Sequence, residues 1–325
     1  MVMVKRLPRQ YNMNGSFCKT NPILGQPQSV ALRPPAKINL SLVVFDPRPD
    51  GFHDLHTVMA AVDLHDDLTL RRKSEGGIEL ECTGEVCPAG RDNLVYRAVE
   101  VVAEHAGIAP AVKVRLHKRI PSGAGLGGGS SDAASCLLGL NRLWDLNLSS
   151  SELTSLAVRL GSDVPFFLQG PVAVCTGRGE VVIPLPHRCS RTLLLIVPKL
   201  EAPTAQVYRH YCHVEKRCDD YMRRVNYFLR QGDLDGLVIQ AINSLDDACM
   251  KLFASLRQLR GRIESMGIGP LQISGSGSCL FASTYSHNQA NRWARQLQTL
   301  EDASVRAVRF YNQKEPYLEV HHADL

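Results

Sequence analysis

The glycine-rich segment 121–131 is the feature of this sequence that most constrains its fold. Five of the seven residues from 123 to 129 are glycine, and Ser130 and Ser131 follow directly. Apolar residues then recur at helical spacing over 132–144, which predicts an amphipathic helix. Glycine permits positive φ and lets backbone N–H groups approach a phosphate, and a helix start adds unpaired N–H donors. Because flexible linkers seldom run straight into such a helix, the segment predicts a phosphate-binding loop.

Two well-known phosphate-binding loops fit this segment poorly. A P-loop ends in Gly-Lys-Ser or Gly-Lys-Thr, and no lysine follows these glycines within the predicted helix. Gly123, Gly125 and Gly128 do match the GxGxxG pattern of dinucleotide-binding folds. That fold needs a buried parallel strand just before the first glycine, whereas charged residues alternate along 112–116. The dinucleotide interpretation is therefore the weaker one.

Regular patterns elsewhere predict an α+β fold. Strands are predicted where polar and apolar residues alternate or apolar residues run together, at 38–44, 112–116, 193–197 and 305–310. Helices are predicted over 132–144, from the capping box of Ser149 and Glu152 to Gly161, and over most of 219–265. Half-exposed strands without a strict βαβ rhythm favour antiparallel or mixed sheets with helices on one face.

Composition narrows the class of protein. The chain has 325 residues, enough for two domains of ~150 residues each. Its longest aliphatic run, 193–197, is far shorter than the roughly 20 residues of a membrane-spanning helix. The ten cysteines form no CxxC pair, which disfavours a closed zinc site and indicates reduced thiols in a cytosolic protein. Residues 1–30 contain no acidic residue and predict a disordered extension.

Three motifs, in consistent order over residues 31–283, resemble those of the GHMP small-molecule kinases. The segment 121–134 resembles their second motif, a loop around the phosphates of ATP, while 35–40 resembles the first motif and 275–279 the third. Within this superfamily, Asp50-Gly51-Phe52-His53 resembles the kinases that act on 4-diphosphocytidyl-2-C-methyl-D-erythritol. The first motif of mevalonate and galactose kinases, which ends in Gly-Glu-His, is absent.

The resemblance implies a two-domain architecture with the active site between the domains. It assigns a ribosomal-protein-like α+β domain to 31–187 and a ferredoxin-like α+β domain to 188–325. It also implies a cytoplasmic enzyme of isoprenoid-precursor synthesis that uses ATP and Mg²⁺ and is a monomer or homodimer. A small-molecule substrate is expected, and neither a nucleic acid nor a membrane is an expected partner.

The resemblance further implies which residues carry the phosphoryl transfer. Lys37 and Asp163 are the expected catalytic residues, with Asp163 orienting the substrate hydroxyl and Lys37 offsetting the charge of the transferring group. Without the resemblance, their patterns alone favour a surface lysine at a strand end and a helix-stop aspartate, neither with a catalytic role. The residues expected to bind ATP are Pro121, Ser122, Gly123, Ala124, Gly125, Leu126, Gly127, Gly128, Gly129, Ser130 and Ser131 around the phosphates, and Asn93 at the adenine.

A second set of residues is expected to bind the other substrate. His53 would read the cytosine, because a neutral imidazole can donate one hydrogen bond and accept another. Phe52, where the family usually has tyrosine, and Tyr208 would stack on the base. The remaining candidates are Asn39, Thr204, Gly275, Ser276 and Gly277. No residue is predicted as a firm metal ligand, and the sequence does not choose between Ser130 and Ser131 for Mg²⁺.

Three alternatives stay open beside this interpretation. A GHMP kinase with a different hydroxyl substrate is disfavoured by Asp50-Gly51-Phe52-His53. An RNA-binding protein would need a dense basic stripe with interleaved aromatic residues, and the aromatic content is only 6%. A catalytically inactive metabolite sensor is disfavoured because both Lys37 and Asp163 are present.

Overall fold

The computed structural model describes residues 27–186, 189–240 and 242–311 and the backbone of 317–322. The strands are β1 (Pro27–Arg33), β2 (Pro35–Pro47), β3 (His53–His65), β4 (Asp67–Arg72), β5 (Gly77–Gly84), β6 (Ala111–Lys118), β7 (Val172–Gly177), β8 (Val181–Pro184), β9 (Thr192–Pro198), β10 (Ile242–Asn243), β11 (Gln272–Ile273), β12 (Leu280–Thr284), β13 (Ala303–Arg309) and β14 (Tyr317–His322). The helices are α1 (Leu94–Ala106), α2 (Gly128–Leu143), α3 (Ser150–Leu160), α4 (Phe166–Gln169), α5 (Thr204–His210), α6 (Glu215–Gln231), α7 (Leu234–Val238), α8 (Asp246–Leu252), α9 (Ala254–Ser265) and α10 (His287–Gln296).

The first sheet has the strand order β14-β1-β4-β6-β5. β5 and β6 run parallel and the other neighbours antiparallel, with Leu70 of β4 opposite Val30 of β1 and Val114 of β6. Apolar residues of this sheet share one core with α1, α2 and α3. Helix α2 lies so close to the sheet that a Cβ atom at Gly139 would be 2.9 Å from Leu32 Cδ1.

The second sheet, in the order β10-β2-β3-β7-β8, carries the first motif. β2 pairs antiparallel with β3, which places Lys37 opposite Ala61. Residues 35–44 of β2 are all buried, because separate apolar clusters cover its two faces. β10 comes from late in the chain and pairs in parallel with β2, Ile242 opposite Ser41.

The third sheet is antiparallel, in the order β11-β12-β9-β13. Every residue of β9 is buried. Leu193 and Leu195 of this strand share a core with Ile38 of β2, whereas Leu194 and Ile196 belong to a core that also contains residues of α8 and α9. The second and third sheets are therefore joined by a continuous apolar interior.

The observed elements confirm the α+β class and its mixed sheets. The predicted strands 38–44, 112–116 and 193–197 are confirmed as parts of β2, β6 and β9. Helix α3 has the predicted capping box, and α2 begins at Gly128, four residues before the predicted start. No helix in the described part of the chain is long and apolar enough to cross a membrane.

One prediction about the ends of the chain needs correction. Residues 27–30 do not belong to an extension, because they form β1 between β4 and β14, with Val30 fully buried. The rest of that predicted extension, 1–26, lies outside the described residues. The strand predicted at 305–310 is confirmed as β13, but β14 follows it and pairs with β1. The domain division at residue 187 stays a prediction, and both β10 and β14 join sheets built mainly from residues before it.

Candidate active site

A cavity of about 1080 Å³ opens between the glycine-rich segment, strands β2 and β3, and helix α5. Most residues that the sequence analysis singled out line this cavity. They are Lys37, Asn39, Phe52, His53, Pro121, Ser122, Gly123, Ala124, Gly125, Leu126, Gly127, Gly128, Gly129, Ser130, Asp163, Thr204, Tyr208, Gly275 and Ser276. The fold thus brings three motifs that are distant in the chain onto one surface.

Glycines give the loop before α2 its shape. Gly123, Gly125 and Gly127 have φ values of 67°, 76° and 69°, in the left-handed region that other residues rarely adopt. Gly127 is the N-cap of α2 and provides no side-chain hydrogen bond to the helix start. The first turn of α2 lines the cavity, and the N–H groups of a first helical turn have no partner within the helix. This arrangement suits a bound anion.

Neighbouring segments hold the loop on both sides. On the side of β2, the backbone N–H of Lys37 donates to the carbonyl oxygen of Leu126 at 2.9 Å. On the side of the third motif, a Cβ atom at Gly125 would overlap the carbonyl oxygen of Ser274 and lie 3.0 Å from that of Gly277. Only glycine fits this close approach of two backbone segments.

Lys37 and Asp163 meet in the cavity wall. Lys37 Nζ lies 3.5 Å from Asp163 Oδ2 and donates to Asn39 Oδ1 at 2.9 Å. The side chain of Lys37 is 5% exposed and that of Asp163 is 33% exposed, so the carboxylate is open to the cavity and the ammonium group is buried beside it. Asn39 Nδ2 donates to Thr57 Oγ1 at 2.8 Å, which turns the amide oxygen of Asn39 towards Lys37.

The end of α3 places Asp163. The helix stops at Leu160, and a turn follows in which Val164 N–H donates to the carbonyl oxygen of Gly161 at 3.3 Å. Val164 and Phe166 are fully buried. Because these apolar side chains anchor the turn in the core, Asp163 between them and the helix is presented to the cavity.

Aromatic side chains form another part of the cavity wall. The ring centroid of His53 lies 5.5 Å from that of Tyr208 and 5.9 Å from that of Tyr211. Phe52 is 53% exposed, and the guanidinium carbon of Arg178 lies 4.6 Å from the centroid of its ring. Burial raises the pKa of the Tyr208 phenol, which keeps it neutral. These flat groups can pack against a planar ligand.

His53 offers fewer hydrogen bonds to a ligand than the sequence analysis expected. Its Nδ1 lies 2.7 Å from the carbonyl oxygen of Phe45. Since a carbonyl oxygen only accepts, Nδ1 carries the proton, and a neutral ring then has an accepting Nε2. The prediction that the ring both donates to and accepts from a base is therefore wrong, because one ring nitrogen already has a partner in the protein.

The third motif is fixed by residues from two other segments. Asn243 Nδ2 donates to the carbonyl oxygens of Ile273 at 3.1 Å and Gly275 at 2.8 Å. Thr204 Oγ1 and Ser276 Oγ lie 3.0 Å apart, which ties the start of α5 to this motif. Gly275 and Ser276 reach the cavity as a result.

Three predicted site residues lie outside the cavity wall. Asn93 caps α1, because its Oδ1 accepts from Val95 N–H at 2.9 Å and its Nδ2 donates to the carbonyl oxygen of Pro88 at 2.9 Å. Both ends of its amide thus have a partner within the fold, and its contact with adenine stays a prediction. Ser131 is fully buried, and Gly277 lies beneath the loop rather than beside the cavity.

The cavity also contains cations that the sequence analysis missed. Arg178 lies in the turn between β7 and β8, and Lys118 ends β6. A lone arginine between two glycines gives no local signal. Lys118 follows the alternating charged residues of 112–116, yet its side chain is only 3% exposed. It pairs with Asp66 and, at 2.7 Å, with Asp132 Oδ2. Burial raises the pKa of the Asp132 carboxyl, and the neighbouring Lys118 ammonium group opposes this effect.

Metal-binding side chains are few here. In the described segments, no group of three or more His, Cys, Asp or Glu side chains is placed to hold a metal ion. Of the two serines considered for Mg²⁺, Ser130 lines the cavity and Ser131 is buried away from it.

Comparison with known proteins identifies the family. The model of the GHMP kinases N terminal domain matches residues 93–171. A 4-diphosphocytidyl-2-C-methyl-D-erythritol kinase of Pelotomaculum thermopropionicum is 35% identical over 280 residues, which cover 85% of this chain and 96% of that protein. The chain belongs to this family of GHMP kinases. A relative of the same name from Listeria welshimeri is 34% identical over 81% of this chain and 90% of its own length.

Solved structures agree with this assignment. The crystal structure of a 4-(cytidine 5'-diphospho)-2C-methyl-D-erythritol kinase matches this GHMP kinase with a TM-score of 0.69 and 34% identity, over 86% of this chain and 98% of that chain. A homoserine kinase from Cytophaga hutchinsonii gives a TM-score of 0.71 at 18% identity, over 92% of this chain and 100% of that chain. The second likeness concerns the fold alone.

Proposed function

We propose that this GHMP kinase transfers the γ-phosphoryl group of ATP to the 2-hydroxyl of 4-diphosphocytidyl-2-C-methyl-D-erythritol. The observation that carries the proposal is the Lys37–Asp163 pair, 3.5 Å apart, in the same cavity as the glycine-rich loop. The names of the relatives at 34–35% identity support the choice of substrate.

The glycine-rich loop is the proposed site for the ATP phosphates. Its three left-handed glycines and the start of α2 line the cavity, and the unpaired N–H groups of a first helical turn suit a polyanion. Ser130 is the serine that could bind Mg²⁺, since this residue lines the cavity and Ser131 does not. When bound, this ion would offset charge on the phosphate oxygens.

Asp163 is the proposed partner of the substrate hydroxyl. A carboxylate is a weak base towards an alcohol, so Asp163 orients the hydroxyl and accepts its proton late, as the new P–O bond forms. Lys37 holds the carboxylate in place and offsets charge on the transferring group. Asn39 holds Lys37 in turn, through its hydrogen bond at 2.9 Å.

The aromatic part of the cavity is the proposed site for the cytosine. His53 Nε2 is an acceptor that matches the exocyclic amine of cytosine, and Phe52 and Tyr208 offer ring faces and edges for packing. Arg178, over the Phe52 ring, adds positive charge that suits a diphosphate.

A substrate comparison tests the proposal. We would measure ADP release with ATP and, in separate reactions, 4-diphosphocytidyl-2-C-methyl-D-erythritol, mevalonate or homoserine as acceptor. The proposal expects turnover with the cytidyl substrate and only background release with the other two. Turnover with mevalonate or homoserine instead would indicate a GHMP kinase of different specificity, and ADP release that no acceptor stimulates would contradict the proposal.

A further inference from the structure

A buried cluster of three charged residues lies behind the glycine-rich loop. Lys118, Asp66 and Asp132 have side chains that are 3%, 0% and 2% exposed. Lys118 Nζ donates to Asp132 Oδ2 at 2.7 Å and also to Asp66 Oδ2. Charged groups are costly to bury, so a cluster of this kind is retained only where it is well paired.

The cluster connects both ends of the loop. Asp66 Oδ1 accepts from the backbone N–H groups of Arg119 and Ile120, the latter at 2.8 Å, directly before the loop begins at Pro121. Asp132 lies on the first turns of α2, directly after the loop. Lys118 bridges the two carboxylates, so one ammonium group joins the strand that enters the loop to the helix that leaves it.

The contacts around Gly128 show how tightly the two ends meet. A Cβ atom at this position would lie 3.0 Å from Lys118 Nζ and 2.9 Å from Ile120 Cγ2. Lys118 and Gly128 both line the cavity. The ammonium group of Lys118 therefore packs directly against the first turn of α2, where that turn lines the cavity.

We propose that Lys118, Asp66 and Asp132 are positioning residues that hold the glycine-rich loop in its phosphate-binding shape. The inference rests on the proposed binding of ATP to this loop. The cluster sets the affinity for ATP and takes no part in the proton or phosphoryl transfer at Asp163. Asp132 Oδ1 has no hydrogen-bond partner among the described residues. The hydrogen bond between Asp132 Oδ2 and Lys118 is therefore the contact that carries this role.

The test compares two substitutions at one position. Asp132→Ala removes the acceptor for Lys118, whereas Asp132→Asn keeps an oxygen at the same place. We expect Asp132→Ala to raise KM for ATP by about tenfold or more, with kcat and KM for the cytidyl substrate changed less than about threefold. Asp132→Asn should restore most of the ATP affinity. Asp67→Ala is the matched control. It removes the carboxylate that follows Asp66 in the chain, which forms an exposed ion pair with Arg119 and lies outside the buried cluster.

A direct measurement of ATP binding to the folded proteins distinguishes failure of the proposed function from failure of the positioning role. If the wild type does not bind ATP, the proposed function fails together with this inference. If the wild type binds ATP and Asp132→Ala binds it equally well, only the positioning role is wrong. An equal loss in Asp132→Ala and Asp132→Asn, or an equal fall in kcat/KM for both substrates, would also contradict the inference. Should Asp132→Ala fail to fold, Asp132→Ser, which is smaller than Asn and still polar, takes its place in the same comparison.

Discussion

At the scale of single residues, the two members of the Lys37–Asp163 pair differ in exposure and in proposed role. Asp163 is open to the cavity and Lys37 is buried beside it, so the carboxylate can meet a substrate while the lysine stays fixed. His53 is also held in place, since its Nδ1 donates to the carbonyl oxygen of Phe45 and its ring lies close to those of Tyr208 and Tyr211.

His53 carries the residue-scale prediction. His53→Ala should lower kcat/KM for the cytidyl substrate by roughly 6- to 150-fold, because a lost hydrogen bond to a partly buried polar partner costs about 1–3 kcal/mol. KM for ATP should stay unchanged, since the proposed phosphate site is built from other residues. Steady-state kinetics with each substrate varied in turn provide the measurement.

A second histidine on the same strand provides the control. His65 lies at the other end of β3, outside the cavity wall, and His65→Ala should leave both constants unchanged. Equal losses for ATP and the cytidyl substrate in His53→Ala would show that His53 is structural.

At the scale of elements, the loop before α2 is shaped by its contacts with β2 and the third motif. Glycine is required at position 125 for two reasons, its φ of 76° and the approach of the Ser274 carbonyl group. At Gly123 the φ of 67° is similar, but the nearest atom to an added Cβ would be Glu201 Cγ at 4.0 Å. A comparison of substitutions at these two positions therefore distinguishes the effect of backbone strain from that of steric overlap.

Alanine substitutions at these two glycines form the element-scale prediction. Both variants bear the left-handed penalty of about 1–2 kcal/mol, but only Gly125→Ala must move the third motif. We expect Gly125→Ala to raise KM for ATP by about tenfold to 10²-fold, and Gly123→Ala to raise it only a few-fold. Equal effects of the two substitutions in folded protein would show that contact with the third motif does not shape the loop.

At the scale of the whole molecule, the segments before and after residue 187 share one interior. Ile38 and Val58 of the second sheet belong to the same apolar cluster as Leu195 and Phe281 of the third. β10 and β14 also reach back to pair with β2 and β1. The cavity lies where these parts meet, so its geometry depends on their packing.

A truncated chain tests this interdependence. The fragment 27–186 would expose the apolar cluster that the third sheet covers, and it would lack β10 and β14. We expect no cooperative thermal unfolding transition from the fragment, whereas the full chain should unfold cooperatively when followed by circular dichroism. A sharp transition and native-like helix content in the fragment would mean that this part folds alone.

Features that depend on neighbouring residues could be predicted from the sequence, whereas contacts between distant segments could not. The capping box at Ser149 and the glycines before α2 act within a few residues, so their patterns identify them. The position of Arg178 over Phe52 and the burial of Lys118 both depend on partners elsewhere in the chain. Lys37 and Asp163 could be paired only through the family resemblance, because nothing local joins them.

The most direct test of the account is ³¹P NMR of the reaction mixture with wild-type protein and the Asp163→Asn variant. With ATP, Mg²⁺ and 4-diphosphocytidyl-2-C-methyl-D-erythritol, the wild type should convert the γ-phosphate signal into a phosphomonoester on the 2-oxygen of the cytidyl substrate. Asp163→Asn should form the same product about 10²- to 10⁴-fold more slowly while still binding ATP. Absence of the phosphomonoester with the wild type, or its formation at the wild-type rate by Asp163→Asn, would contradict the account.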